Sequence, residues 1–209
     1  CTRHKYSILT ARVKNPENFG VVTGENIMQD FVEKPKKFIS NLASTALYKL
    51  DKKIFTCIKK IKKSKRNELE MPDAIKMLSK NEEVHIVKST KWLPVAKPMD
   101  LLRADIIIRK NKNLICKNSK VYGNVKNSSI GEGSIIMGTV KNSIIMDKTI
   151  IEKNSVVQDS IVGENVCFSG RIINSVIADN VKMQNVTANN CSIWPGKKIS
   201  NKIISSDVR

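Results

Sequence analysis

Lys126-Asn127-Ser128-Ser129-Ile130-Gly131 returns as Lys141-Asn142-Ser143-Ile144-Ile145-Met146, as Gln158-Asp159-Ser160-Ile161-Val162-Gly163, and as Ile173-Asn174-Ser175-Val176-Ile177-Ala178. The serine in third place falls at 128, 143, 160 and 175, in steps of 15, 17 and 15 residues. A second column runs beside it. Two places after each serine stands an apolar residue, and another follows six places on: Ile130/Ile136, Ile145/Ile151, Val162/Phe168 and Ile177/Met183. The register reaches back to Ile115/Val121 and forward to Ile193/Ile199. Four residues after the first member of each pair come Ser119, Ser134, Thr149, Val166, Val181 and Lys197, five of them small or β-branched.

An apolar residue every six positions suits a three-sided coil with short parallel strands as its flat faces. Aliphatic side chains stack inside, and small residues let the chain turn the corners. Three faces of about six residues give about 18 per coil, and the observed steps fit slightly tightened corners. The pattern predicts a left-handed parallel β-helix of hexapeptide repeats, about six coils over residues 111–209. Such solenoids bury a continuous column and need several coils for stability. A β-sandwich would show period-two alternation instead. Gly131-Glu132-Gly133 belongs to a coil, since no helical pattern follows it as a dinucleotide loop requires. Asn127-Ser128-Ser129 fits a glycosylation sequon but reads as a corner asparagine.

The 209 residues leave room for a second unit with its own core. With 41% hydrophobic and 27% charged residues, the composition is that of a globular protein. No apolar run approaches the ~20 residues that cross a bilayer, and the start is not that of a signal peptide. The chain opens at Cys1, directly on strand-like text, which we read as sequence missing upstream. Five scattered cysteines without a C-x-x-C speak against a disulfide framework or a zinc site and for a reducing cytoplasm. Two histidines, His4 and His85, exclude a histidine-rich metal centre.

A net charge of +18 raises the question of nucleic acid. Residues 1–112 hold 25 Lys/Arg against 12 Asp/Glu, and residues 113–209 hold 12 against 7. The densest run, Lys59-Lys60-Ile61-Lys62-Lys63-Ser64-Lys65-Arg66, closes a helix-like segment, where cations complement the dipole. No aromatic residue interleaves with it as a base-stacking platform. We read it as a solvated helix end and expect neither nucleic acid nor membrane as partner.

Residues 1–110 have the texture of an α/β domain. Tyr6–Val13 and Phe19–Thr23 read as strands about a turn at Asn15–Asn18. Gly24-Glu25-Asn26 turns the chain into a hairpin partner, Ile27–Glu33. Leu42–Leu50 is strand-like. Asp51 is placed to cap a helix from Lys52 to about Lys63, with Ile54, Phe55, Ile58 and Ile61 inward. A second helix starts at Pro72 and runs to about Lys80. Val84–Lys88 reads as a strand, and Pro98–Ile107 as a helix leading into the solenoid.

Four segments carry a resemblance: Phe19-Gly20-Val21-Val22; Phe31-Val32-Glu33-Lys34-Pro35; Ser40-Asn41-Leu42-Ala43-Ser44-Thr45-Ala46-Leu47-Tyr48; and Trp92-Leu93-Pro94-Val95-Ala96-Lys97-Pro98-Met99-Asp100-Leu101-Leu102. In order and spacing they resemble the sugar-1-phosphate nucleotidyltransferase family, with its F/Y-G-V-V, E-K-P, N-A-G-I-Y and W-x-D-x-G-x-P-x-D-L-L patterns. Met71-Pro72-Asp73-Ala74-Ile75 is similar to the family's next helix. Hexapeptide coils follow in mannose-1-phosphate guanylyltransferases, glucose-1-phosphate thymidylyltransferases and archaeal glucosamine-phosphate uridylyltransferases. The resemblance implies the C-terminal part of a Rossmann-like nucleotidyltransferase domain joined to the β-helix.

It also implies a chemistry: a sugar 1-phosphate attacks the α-phosphorus of an NTP, yielding NDP-sugar and pyrophosphate. Two phosphates must approach, so the family is expected to use cations and Mg²⁺. By carry-over, Lys34 contacts the sugar phosphate and Glu33 accepts hydrogen bonds from hydroxyls. Ser44 and Ala46 stand where the family has sugar-contacting Asn and Gly. The plainer reading of Glu33-Lys34-Pro35 is a strand end with a solvated ion pair.

The departures are specific. The Gly-rich G-x-G-T-R loop that cradles the NTP phosphates and an upstream metal-binding aspartate are not in the chain. Pro94, which offers no ligand, occupies the place of the second metal-binding aspartate. Ala46 and Ala96 replace glycines. No complete metal site is expected here, and the catalytic residues are not assigned. The readings are therefore a fragment of an active nucleotidyltransferase, or a degenerate regulatory or scaffolding subunit that binds a nucleotide sugar or a homologous partner. An acyltransferase would need a histidine base on the solenoid, and none follows His85. The solenoid is accordingly read as structural or oligomer-forming.

Overall fold

The computed structural model describes residues 3–209. Cys1 lies outside the described residues. The chain divides into two compact units, residues 1–94 and 95–209.

The first unit is built on strands β1 (Ser7–Arg12), β2 (Gly20–Thr23), β3 (Asp30–Glu33), β4 (Leu42–Lys49) and β5 (His85–Ser89), in the order β3-β2-β4-β1-β5. Strands β1 and β5 run parallel and the other neighbours antiparallel. Two helices, α1 (Lys53–Ile58) and α2 (Met71–Leu78), pack with one another, and their Ile54, Ala74, Ile75 and Leu78 join Tyr6, Ile8 and Phe31 in the core.

The hairpin differs from expectation. Residues 24–29 form a longer connection, and β3 pairs with β2 only from Asp30. Gly24 has φ +117°, and a Cβ there would meet the Ile27 carbonyl oxygen at 2.1 Å, so only glycine fits. Helix α1 is half the expected length. Asp51 does accept the Lys53 N–H at 2.8 Å. Continuing to Lys63 would stack Lys59 on Lys62 and Lys63, like charges at three- and four-residue spacing. Phe55, expected inward, is 63% exposed.

The second unit opens with helix α3 (Pro98–Arg109), capped at its start by Asp100, whose carboxylate accepts the N–H groups of Ala96 and Lys97. The compact units divide ahead of this helix, at 94/95, and the boundary read from the sequence, 110/111, falls at its end. Arg109, 6% exposed, pairs with Asp105 at 2.6 Å and donates to the Lys112 and Asn127 carbonyls. Ser129 Oγ donates to Asp105 at 2.6 Å.

Six coils follow, forming a three-sided parallel β-helix. The first expected column lies on one face, in strands from Leu114–Ile115 to Ser192–Ile193, and the second on the next, from Lys120–Val121 to Lys198–Ser200. Ile130, Ile136, Val162 and Phe168 are wholly buried and Ile145 nearly so. A third face carries Val125, Val140, Val157, Ile172, Ala188 and Ile204 inward. The gap from the second column to the third varies between 4 and 6 residues, so a fixed six-residue rule does not find it.

The repeated serine has a structural reason. Ser143 Oγ donates to the Lys141 carbonyl of its own coil at 2.7 Å and accepts the Ser160 N–H of the next at 3.1 Å. Ser128, Ser160 and Ser175 do the same, making a buried hydroxyl column. Asn113 supplies the acceptor for the first step, and Cys191 occupies the serine position in the sixth coil. The residue before each, Asn127, Asn142, Asp159, Asn174 or Asn190, turns the corner at φ between +44° and +52°. Asparagine and aspartate tolerate this left-handed backbone best among non-glycine residues. Their side chains also bond from coil to coil, Asn127 to Asn142 and Asn142 to Asp159 at 2.9 Å each.

Candidate functional site

The site residues expected from the sequence lie in the first unit, Glu33 and Lys34 at the end of β3 and Ser44 and Ala46 on β4, with β2 between the two strands. Glu33 ends β3 opposite Gly20 on β2. Val21 pairs with Ala43, so Gly20 stands beside Ser44 on β4. Ser44 in turn pairs with Thr10 on β1. Glu33, Gly20 and Ser44 thus form one row across the sheet, their side-chain positions on a common face.

Strand β4 is distorted at this row. Between the pairs Thr10↔Ser44 and Ile8↔Tyr48 it spends four residues against two on β1. Ala46 sits in this bulge at φ +62°. Bulges re-aim side chains next to functional sites, and here the kink folds back on Ser44. The Ala46 N–H donates to Ser44 Oγ, which donates to Tyr48 Oη, both at 3.1 Å. Burial pushes the Tyr48 phenol up, the Ser44 hydrogen bond pulls it back, and the Glu33 charge pushes it up again; the net shift is upward.

Glu33 is held through one oxygen. Oε1 lies 3.4 Å from Arg66 Nη1. Oε2 lies over Gly20, where an added Cβ would meet it at 2.8 Å. The ion-pair partner is therefore Arg66 and not the neighbouring Lys34. Lys34 is exposed, and its backbone is left-handed at φ +44°, with its N–H donating to the Phe19 carbonyl at 3.0 Å. Two non-glycine residues of the expected site, Lys34 and Ala46, thus carry unfavourable backbone, as strained positions at binding sites often do.

Pro94 is separate from this row. It lines a groove of about 520 Å³ with Arg12, Lys88, Thr90 and Trp92, at the ends of the parallel strands β1 and β5. Arg12 there donates to Asn41 Oδ1 at 2.8 Å, and Phe19 meets Trp92 edge-on at 5.2 Å. No carboxylate lines the groove. Among the described residues, no group of three or more His, Cys, Asp or Glu side chains is placed to hold a metal ion. The carboxylates of Glu33, Glu68 and Glu70 do converge, but on the Arg66 guanidinium. These residues do not fit a Mg²⁺ site.

Sequence reasoning did not assign roles to Gly20, Tyr48 or Arg66. Gly20 and Tyr48 lie inside the quoted segments, so their signal was present. Arg66 belongs to a lysine-rich run, and nothing local marks it as the one cation that pairs with Glu33, Glu68 and Glu70.

The nucleotidyl transferase family model matches residues 2–111. The chain belongs to this family. A second model, described as the GlmU-like C-terminal hexapeptide, matches residues 111–188, in agreement with the coils. Among relatives, a bifunctional protein GlmU of Methanocaldococcus jannaschii is 41% identical over 65% of this chain and 33% of its own length. That of Methanococcus aeolicus is 35% identical over 64% of this chain and 32% of its own. A bifunctional sugar-1-phosphate nucleotidylyltransferase/acetyltransferase of Sulfurisphaera tokodaii is 29% identical over 65% of this chain and 37% of its own. The nucleotidyl transferase chain described here therefore spans about a third of the curated relatives it matches. No helix among the described residues is long and apolar enough to cross a membrane.

Proposed function

We propose that this chain carries the sugar-phosphate side of a sugar-1-phosphate nucleotidyltransferase, as a fragment without the Gly-rich half that holds the NTP. The row Glu33–Gly20–Ser44 supports the reading: a carboxylate and a hydroxyl flank a glycine whose missing side chain makes room for the Glu33 carboxylate and the Phe31 ring. Glu33 Oε2 accepts a sugar hydroxyl at the end of β3, and the Ser44 hydroxyl and the Ala46 bulge lie on the other side of Gly20. Lys34, exposed at the end of β3, takes the phosphate as a mobile point charge. In the parent reaction an oxygen of that phosphate attacks the α-phosphorus of the NTP. The new P–O bond forms as the α–β bridge breaks, and pyrophosphate leaves. The family's Mg²⁺ would neutralise the meeting phosphates, but the residues of this chain do not form its site, and no step is drawn through it.

Pro94 favours a second reading, a non-catalytic subunit that binds a sugar phosphate or nucleotide sugar, in the cytoplasm, alongside further copies or a homologous active chain. Incubation of the full-length parent protein with sugar 1-phosphate, NTP and Mg²⁺ separates the two. Pyrophosphate release above background removes the second reading. Binding of sugar phosphate without release, retained in a stable assembly with an active homologue, removes the first.

A further inference from the structure

The run of cations ending at Arg66 is not used by the proposed reaction, and its last member behaves unlike the rest. The chain reverses after it: Ser64 N–H donates to the Glu68 carbonyl at 2.8 Å, Asn67 N–H to the Ser64 carbonyl at 2.9 Å, and Asn67 adopts φ +61°. Ser64 Oγ receives the Arg66 N–H at 3.1 Å and donates to Glu70, itself buried, at 2.9 Å. This turn points one guanidinium at three carboxylates: Nη2 at Glu68 (2.6 Å), Nη1 at Glu33 (3.4 Å) and Nε at Glu70 (3.7 Å). A planar fork with donors on three sides spans such a set; an ammonium does not.

The geometry points to Arg66 as a positioning residue of the sugar subsite, held by the 64–70 turn so that Glu33 presents Oε2, and not Oε1, over Gly20. The inference rests on the proposed role of Glu33 as acceptor for sugar hydroxyls. Arg66 draws Oε1 to one side, and Gly20 leaves the space into which Oε2 turns. Without the guanidinium, the Glu33 side chain gains rotamers that place neither oxygen in the row, and a ligand must then pay to select the productive one.

The test is a titration of the full 209-residue chain with glucose 1-phosphate and with N-acetylglucosamine 1-phosphate. Inorganic phosphate serves as the control for the anion alone. Glu33→Gln should abolish binding of the sugar phosphates, and Arg66→Gln should weaken it about tenfold while leaving inorganic phosphate unchanged. Arg66→Lys, which keeps charge but loses the fork, should fall between wild type and Arg66→Gln. It also covers the case in which Arg66→Gln does not fold. If Glu33→Gln loses binding but both Arg66 variants bind like wild type, Arg66 has no positioning role and the reading of Glu33 stands. If the wild type binds neither sugar phosphate, or Glu33→Gln binds as well as wild type, the reading of Glu33 fails, and the role of Arg66 falls with it.

Discussion

The two units treat left-handed backbone differently. In the coils it falls almost always on asparagine, at positions such as 118, 127, 142, 165, 180 and 190, repeated at each turn of the helix. In the first unit it falls on Asn67 and also on Lys34 and Ala46, side chains that gain nothing from it, both close in sequence to the row that forms the candidate site. A repeat finds the best residue for a conformation and copies it. A binding site keeps a residue that is poor for the backbone wherever a ligand, or the loss of one, decides the choice. The resemblance to the family's pattern places a glycine at Ala46, and the φ of +62° there is one that glycine adopts without strain.

The comparison would break first in the solenoid interior. Ile151 is wholly buried between coils, and Ile151→Ala should cost about 3–4 kcal/mol. Ile203, 85% exposed on the last coil, should lose less than about 0.5 kcal/mol on the same change. Urea titrations of the two variants give the contrast. Equal effects would mean that the column is not packed as described.

Next comes the serine column. Ser143→Ala leaves the buried Ser160 N–H without its acceptor and the Lys141 carbonyl without that donor. It should destabilise the coils by about 2 kcal/mol, read as a lowered midpoint for the solenoid transition. A smaller, opposite effect is expected in the first unit. Ala46→Gly relieves the left-handed alanine and should stabilise it by about 1 kcal/mol, visible as a raised melting temperature. Asn142→Ala in a corner should go the other way by a similar amount.

Acid should also separate the units. In the first, Asp30, Asp51 and Glu82 are held below their ordinary values. Burial alone would raise Asp30, but the Lys76 ammonium and the Phe31 N–H outweigh it. Burial likewise opposes the shift at Asp51, where Lys53 N–H, Tyr6 and Lys5 prevail, while the Lys53 hydrogen bond lowers Glu82 outright. A carboxyl depressed in the folded state stabilises it above the unfolded value and loses that contribution as pH falls through the folded one. The window therefore opens below the ordinary values of 3.8 and 4.5. In the second unit, among the described residues, Asp100 on α3 is lowered by the Lys97 and Ala96 N–H groups, and within the coils only Cys167 is shifted, raised by burial and by Glu152. Hydrogen exchange followed from pH 7 to 3 should show the first unit losing protection before the coils.

The solenoid was legible in the sequence because each coil writes the same residues in the same places. The third face escaped because its corner varies in length, so Val125, Val140 and Val157 do not keep step with the other columns. The first unit was read well where single residues set the backbone, as at Pro72 and the strand of Tyr48. It was misread where long-range competition decided, as at α1, where lysine repulsion ends a helix that apolar spacing alone would continue. The row of Glu33, Gly20 and Ser44 could not be read from spacing, since its members come from three strands brought together by pairing.

The serine column has a direction. Each hydroxyl is fixed by its own coil and offered to the N–H of the coil that comes after it, never the reverse. Every layer thus presents the next with a pre-oriented acceptor, from Asn113 towards Cys191, while the backbone N–H groups of each coil reach forward to the carbonyls of the one that follows, as Ser129 does to Ser143.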